Sequence, residues 1–267
     1  MTRPEGAPKK ELGQHFLVDE NLLGVIGRLA ELAPEDIVLE VGPGLGILTG
    51  YLAEHVSHVH AIELDYALVC VLTEKFRGRG NIELRHGDAL RLDLAELRPA
   101  PSKLVANLPY NIATPLVVES LGGIPSIELW CVMVQREVAD RFFAQPSTKA
   151  YGAVSVLVQL AAERTGIHPV SRTVFRPQPN VDSALVAFRR RTEDAAGGPS
   201  DPARVKQVVT AAFAHRRKRL ANSLELSGVC ARDQAAAALE EIGMDPATRA
   251  EELKPPEFVA LVEALDP

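Results

Sequence analysis

The sequence predicts an α/β protein, a mostly parallel doubly wound sheet followed by a small all-helical domain. Three observations carry that expectation. Short apolar runs of strand length recur along the first half, each followed by a helical pattern, and this alternation implies a parallel sheet with right-handed crossovers. The stretch Thr192–Pro202, TEDAAGGPSDP, has the Gly, Pro, Ser and acidic content of a linker. Past it, the periodic segments are all helical.

The elements follow in order. Glu20–Glu31 reads as an amphipathic helix ahead of the first strand, Ile37–Val41. Further strands are expected at His58–Glu63, Ile82–Arg85, Lys103–Ala106 and Leu129–Val134. Between them, Leu45–Glu54, Ala67–Phe76 and Thr114–Ser120 read as helices or helix starts. Tyr151–Glu163 reads as another helix, and Thr173–Arg191 as a last strand pair with Ala184–Phe188 its clearest member. Ala203–Leu226, Arg232–Ile242 and Pro256–Leu265 are expected to be helical. The expected domains are 1–191 and 203–267, joined by the linker 192–202.

Composition narrows the class. A chain of 267 residues has room for one large domain, or a large one with a small companion. With 46% apolar and 24% charged residues, it can bury a substantial core. The N-terminus lacks an apolar h-region and no apolar stretch is long enough to span a bilayer, which argues against a secretory signal or membrane span. Cys70, Cys131 and Cys230 lie far apart without CxxC spacing, as expected in a reducing compartment such as the cytoplasm. The net charge of −6 looks wrong for a nucleic-acid binder. Its distribution changes that view: from Arg232 to Asp266 nine acidic residues face three basic ones, whereas Ala203–Leu220 holds six basic residues and no acidic one. A local field, not the net charge, decides where a polyanion docks.

In a doubly wound sheet, ligands sit outside the carboxyl ends of the strands. The first strand ends in Glu40-Val41-Gly42-Pro43-Gly44-Leu45-Gly46, where Gly42 and Gly44 let a ligand approach the backbone closely. Ile47 stands where a dinucleotide fingerprint has its last glycine, which counts against a pyrophosphate ligand. The second strand ends in Glu63, spaced to accept from ribose hydroxyls or, alternatively, to cap the next helix, a task for which Asp65 is better placed. The third ends in Gly87-Asp88-Ala89, where Asp88 can accept from an adenine amine and the Ala89 amide can donate to a ring nitrogen. Alone, Gly-Asp is a turn. The fourth ends in NLPYNIATP, Asn107–Pro115. Together these describe a site for an adenosine-bearing ligand with a planar substrate facing it.

Here the residues resemble the S-adenosylmethionine-dependent methyltransferases, and more narrowly the rRNA adenine dimethyltransferases. The resemblance rests on EVGPGLGILT, AIELD, HGDA and NLPYNIATPL, with KKELGQHFL (Lys9–Leu17) ahead of them and FRPQPNVDSA and FAHRRKRLANSL behind. It implies a Rossmann-like catalytic domain and S-adenosylmethionine as cofactor. His15 and Leu17 would join Gly42, Gly44, Glu63, Asp88, Ala89 and Asn107 in holding it; His15 stands where many relatives have Asn. The implied substrate is a pair of adjacent adenines in a 16S rRNA hairpin of the small ribosomal subunit or its precursor, and the enzyme would be a cytoplasmic monomer.

An exocyclic amine is a poor nucleophile because its lone pair is delocalised into the ring. Asn107 offers a side-chain carbonyl to one of its N–H groups, and the Leu108 carbonyl, fixed by the X-Pro bond to Pro109, offers a second acceptor. Tyr110 offers a face for the base, and Phe175 would cover the other, although a Phe between Val174 and Arg176 also suits a core. Lys9, Lys10, the Arg189–Arg191 run and, most clearly, Arg216, Arg217, Lys218 and Arg219 are candidate phosphate contacts. His55, His58 and His60 do not all share one strand face and no carboxylate or cysteine pattern completes a metal site with them, so they read as structural and no metal is expected. Three alternatives stand beside this reading. They are a large-subunit (23S) rRNA methyltransferase of the antibiotic-resistance type, a ribosome-assembly factor that acts by binding, and a nicotinamide dehydrogenase.

Overall fold

The computed structural model describes residues 14–191, 201–215 and 217–266. It divides into two compact bodies. The first comprises the chain up to Ala139 together with Arg164–Arg190, and the second comprises Asp140–Glu163 and the chain from Arg191 onward.

The first body is built on a seven-stranded sheet. Its parallel strands are β2 (Ile37–Val41), β3 (His58–Glu63), β4 (Ile82–His86), β5 (Lys103–Asn107) and β6 (Leu129–Gln135), preceded by a two-residue β1 (Phe16–Leu17) outside the sheet. Then come β7 (Ala162–Val170), the short β8 (Phe175–Arg176), which pairs antiparallel with β1, and β9 (Ser183–Arg190), antiparallel to β6. The order across the sheet is β4-β3-β2-β5-β6-β9-β7. Central strands are nearly continuous apolar runs because both of their faces are covered, and Leu129–Val134 is buried at every residue. Helices α1 (Asn21–Leu29), α2 (Ile47–His55), α3 (Tyr66–Lys75) and α4 (Ala113–Gly123) supply the covers. Asp65 caps α3 by accepting from the Ala67 amide at 3.1 Å, the role its spacing predicts.

From β2 the chain steps outward to β3 and β4, then returns to place β5 on the other side of β2. That reversal opens a crevice at the carboxyl ends of β2 and β5.

Helix α5 (Arg136–Phe142) leads into the second body, which holds α6 (Ala153–Ala161), α7 (Pro202–Ala214), α8 (Leu220–Leu226), α9 (Arg232–Glu241) and α10 (Pro255–Leu265). Val205, Val208, Leu220, Leu239, Phe258 and Leu261 pack with Tyr151 and Val156 in one core, and the buried Tyr151 hydroxyl donates to the Leu253 carbonyl at 2.7 Å.

Four expectations change. The boundary at 191 assigns 140–163 to the first body, whereas by packing these residues belong with α7–α10. The helix expected over Tyr151–Glu163 stops at Ala161, and β7 begins there. Nothing in the sequence marked β7: its interior is mostly exposed, so AERTGIHPV lacks the apolar run of a buried strand. Ala203–Leu226 is two helices, α7 and α8, parted where consecutive cationic side chains cannot enter a core. Of the expected linker, residues 192–200 lie outside the described residues, and Pro202 already opens α7 behind the Asp201 cap.

Candidate active site

A concave site fills the crevice, lined by the ends of β2 through β5 and by Gln14–Leu17. All four strand ends singled out from the sequence meet in it. Gly42, Gly44 and Gly46 adopt left-handed backbone, with φ of 75°, 59° and 74°. A Cβ on Gly42 would lie 3.0 Å from the Pro109 ring, and one on Gly44 would lie 2.9 Å from the Phe16 ring. These glycines let the loop fold tightly against its own neighbours, its amides tied to the Ile62 and Pro43 carbonyls and to the Glu63 carboxylate. Lys75 steadies the loop from behind, its ammonium donating to the Leu45 carbonyl at 2.7 Å and the Gly46 carbonyl at 3.3 Å.

Glu63 ends β3 with its carboxylate buried. It accepts from the Gly44 amide at 3.3 Å and from the Asp65 amide at 2.8 Å, tying the glycine loop to the start of α3. Burial pushes its pKa above the ordinary value, and those amides only partly oppose the shift. Asp88 accepts from the Leu90 amide at 3.0 Å and approaches Arg91 at 3.4 Å, with the buried Ala89 beside it on the wall. Leu64 and Leu90 leave apolar surface exposed on the same wall. Two acidic acceptors on an apolar wall suit a nucleoside, with hydroxyls at one end and an amine at the other.

Asn107 ends β5, and its Nδ2 donates to the His15 carbonyl at 3.1 Å. His15 thus contributes through its backbone carbonyl, while its imidazole engages the Pro177 carbonyl at 2.7 Å. With Nδ2 held, Asn107 presents Oδ1 as its remaining polar end. The Leu108 amide donates to the Met133 carbonyl at 3.1 Å, and Pro109 turns the chain into α4. The Tyr110 hydroxyl bonds Ser183 at 2.7 Å, holding the phenol in place at the rim, with the His15 ring 5.5 Å away. His15 and Leu17 both line the crevice.

Phe175 does not line it. Its side chain is fully buried in the core with Leu17, Leu185 and Ala187, on the short β8 that pairs with β1, so the core alternative holds in this structure. Glu40 lines the crevice although the sequence reading gave it no role. Burial pushes its pKa up to about 8 against the opposing effect of Thr49. The signal was available, since Glu40 interrupts the apolar run IVLEV.

Among the candidate phosphate contacts, Arg217, Lys218 and Arg219 are exposed on the connection between α7 and α8, while Lys9, Lys10 and Arg216 lie outside the described residues. The Arg189–Arg191 run is structural. Arg189 pairs with Glu31 at 2.7 Å, Arg190 donates to the Leu121, Ile124 and Ile127 carbonyls over the Trp130 ring, and Arg191 donates to the Gln159 carbonyl. Arg204 is likewise occupied, bidentate with Asp266 at 2.6 and 3.0 Å.

The chain is similar to known proteins in sequence and in fold. The family model described as ribosomal RNA adenine dimethylase matches residues 7–266. The chain is 46% identical to the ribosomal RNA small subunit methyltransferase A of Rubrobacter xylanophilus, over 97% of this chain and 96% of that one. It is 45% identical to the protein of the same name from Lactiplantibacillus plantarum, over 96% and 90% of the two chains. Among solved structures, a dimethyladenosine transferase from Plasmodium falciparum superposes with a TM-score of 0.76 at 23% identity, covering 92% and 96% of the chains, a likeness of fold. The 23S rRNA methyltransferase ErmE superposes with a TM-score of 0.66 at 31% identity, covering 94% and 100%.

Proposed function

We infer the function from one premise: the chain belongs to the ribosomal RNA adenine dimethylase family. The reading its site supports best is S-adenosylmethionine-dependent dimethylation of the N6 amine of two adjacent adenines in a 16S rRNA hairpin of the small ribosomal subunit or its precursor. Family membership removes the dehydrogenase alternative. The observation that carries the reading is the anchored Asn107: with Nδ2 held by the His15 carbonyl, its Oδ1 is the acceptor at the mouth of a crevice built for a nucleoside.

The crevice residues fit the proposed cofactor, because the glycine backbone, the two carboxylates and the apolar wall match a ribose, an adenine amine and a flat ring in turn. When bound, S-adenosylmethionine supplies a methyl group on a positively charged sulfur. Glu63 would take the ribose hydroxyls, Asp88 the adenine amine, and the Ala89 amide a ring nitrogen, with Gly42 and Gly44 lying against the methionine end. Asn107 Oδ1 and the Leu108 carbonyl would accept from the target amine and hold its nitrogen in line for transfer. Stacking on Tyr110 would contribute roughly 1–3 kcal/mol, comparable with the few kcal/mol needed to take a base out of its stack. Orientation is the main catalytic effect. After one transfer the amine keeps a single N–H, so the second needs only one acceptor, with room for the new methyl group. Lys10, Arg216, Arg217, Lys218 and Arg219 would contact RNA phosphates.

The test is transfer of labelled methyl from S-adenosylmethionine to unmethylated small and large ribosomal subunits, followed by nucleoside analysis. Dimethyladenosine in the small subunit alone is expected. Label in the large subunit would favour the 23S alternative, whose support is the likeness to ErmE. Cofactor binding with no transfer to either would favour an assembly factor.

A further inference from the structure

Away from the crevice, the register of β3 against β4 assembles three side chains that the sequence reading kept apart. His58 and His60, two residues apart on β3, project from one face, and Glu83 on β4 stands directly opposite His60 on that face. The three ligand atoms all lie within 4.8 Å of one another. Glu83 Oε2 is 2.9 Å from His60 Nδ1 and 3.7 Å from His58 Nε2. Both nitrogens are buried, and neither has a hydrogen-bond partner.

The surroundings fix one ring nitrogen of His60. His60 Nε2 lies 2.8 Å from the Pro99 carbonyl, which can only accept, so Nε2 carries a proton and Nδ1 is the ring atom left facing Glu83. A ring nitrogen this close to a carboxylate oxygen needs a positive charge between them, which a proton or a metal ion would supply. The outer contacts resemble those that orient metal ligands: a carbonyl fixes the imidazole, and Arg85 holds the other Glu83 oxygen at 2.7 Å. Tetrahedral zinc with bonds near 2.1 Å sets its ligands about 3.4 Å apart, between the two distances observed. His60 is fully buried, whereas Glu83 is one-third exposed, leaving a side open to water for a fourth ligand.

We propose that His58, His60 and Glu83 form a divalent transition-metal site, best suited to zinc, that clamps the edge strand β4 to β3. The carboxylate missing from the local pattern around the histidines is supplied by the neighbouring strand. This site is independent of the methyl-transfer reading.

The test uses the metal-free full-length protein. Zinc is titrated against a chromophoric chelator, and cobalt(II) serves as a spectroscopic probe. One zinc per chain is expected, with tetrahedral cobalt bands that lack thiolate charge transfer, and a melting temperature raised by saturating zinc. Glu83→Gln and His58→Ala should each weaken zinc binding by more than about a hundredfold, beyond what an outer-shell partner is worth. Circular dichroism confirms that each variant folds. The wild-type cobalt spectrum is a second readout that does not depend on the variants. Absence of uptake, equal uptake by folded variants, or a thiolate band from a cysteine would each overturn the site.

Discussion

Asn107 reaches the crevice with its donor already engaged by the His15 carbonyl, so the side chain enters the reaction as an acceptor of defined direction. Asn107→Ala should therefore reduce turnover by at least about a hundredfold, the scale of one positioned polar contact at a reacting centre. The dissociation constant for S-adenosylmethionine should stay within a few-fold, as read by calorimetry, and a large loss of binding would favour the cofactor-holding role that the resemblance also implies for Asn107. Glu63 makes the opposite prediction. It holds the Gly44 and Asp65 amides and is proposed to hold the ribose. Glu63→Ala should raise that dissociation constant by about ten- to a hundredfold, since hydrogen bonds to charged groups are worth roughly 1.5–3 kcal/mol. Unchanged affinity would reduce Glu63 to a loop anchor. Glu40 offers a pH signature. Its folded pKa is raised from 4.5 to about 8, so the folded chain favours the protonated form. That contribution is fully present below 4.5, declines as pH rises, and is lost above about 8. Glu63 is shifted in the same direction. Glu40→Gln should flatten the fall in melting temperature across that window, as thermal unfolding at a series of pH values would reveal.

At the scale of elements, the glycine loop and the β5 end form one unit, because Gly42 leaves no space between itself and Pro109. Gly42→Ala would combine a left-handed alanine, costing about 1–2 kcal/mol, with a 3.0 Å contact to that ring. It should lower stability by a few kcal/mol in a denaturant titration and weaken cofactor binding with it. This coupling was not legible in the sequence, which shows motif spacing but not that two motifs touch. The strands themselves were: β2 and β3 run as expected from Ile37–Val41 and His58–Glu63, because buried strands keep short β-branched and aliphatic runs even where a Glu or His interrupts them. β7 escaped notice for the converse reason, as its mostly exposed interior carries little apolar signal. Phe175 was ambiguous because an aromatic residue beside a rigid turn suits core and site equally, and only its pairing with Leu17 decides between them.

Across the whole molecule, charge is divided unevenly along the chain. The formal charge of −6 is matched by the imbalance within Arg232–Asp266, and Arg204 is already neutralised by Asp266. What remains exposed in the described part of the basic stretch is Arg217, Lys218 and Arg219, in the turn between α7 and α8. The same basic run that ends α7 is therefore the proposed RNA contact, and one sequence feature explains both the break in the helix and the field around it. The run is exposed because it cannot be buried, which the sequence conveys. Which of its neighbours are tied up in ion pairs or carbonyl contacts is a tertiary matter, and it is what separates this run from Arg189–Arg191. Removing one phosphate-binding cation should reduce the slope of log K against log salt by about 0.7–0.9. Replacing Arg217, Lys218 and Arg219 by Gln should weaken binding to a small-subunit rRNA hairpin and flatten that slope by roughly 2, measured by filter binding across a salt series. The affinity for S-adenosylmethionine should not change. A slope equal to that of the wild type would make this turn plain solvated surface and move the RNA-binding face elsewhere.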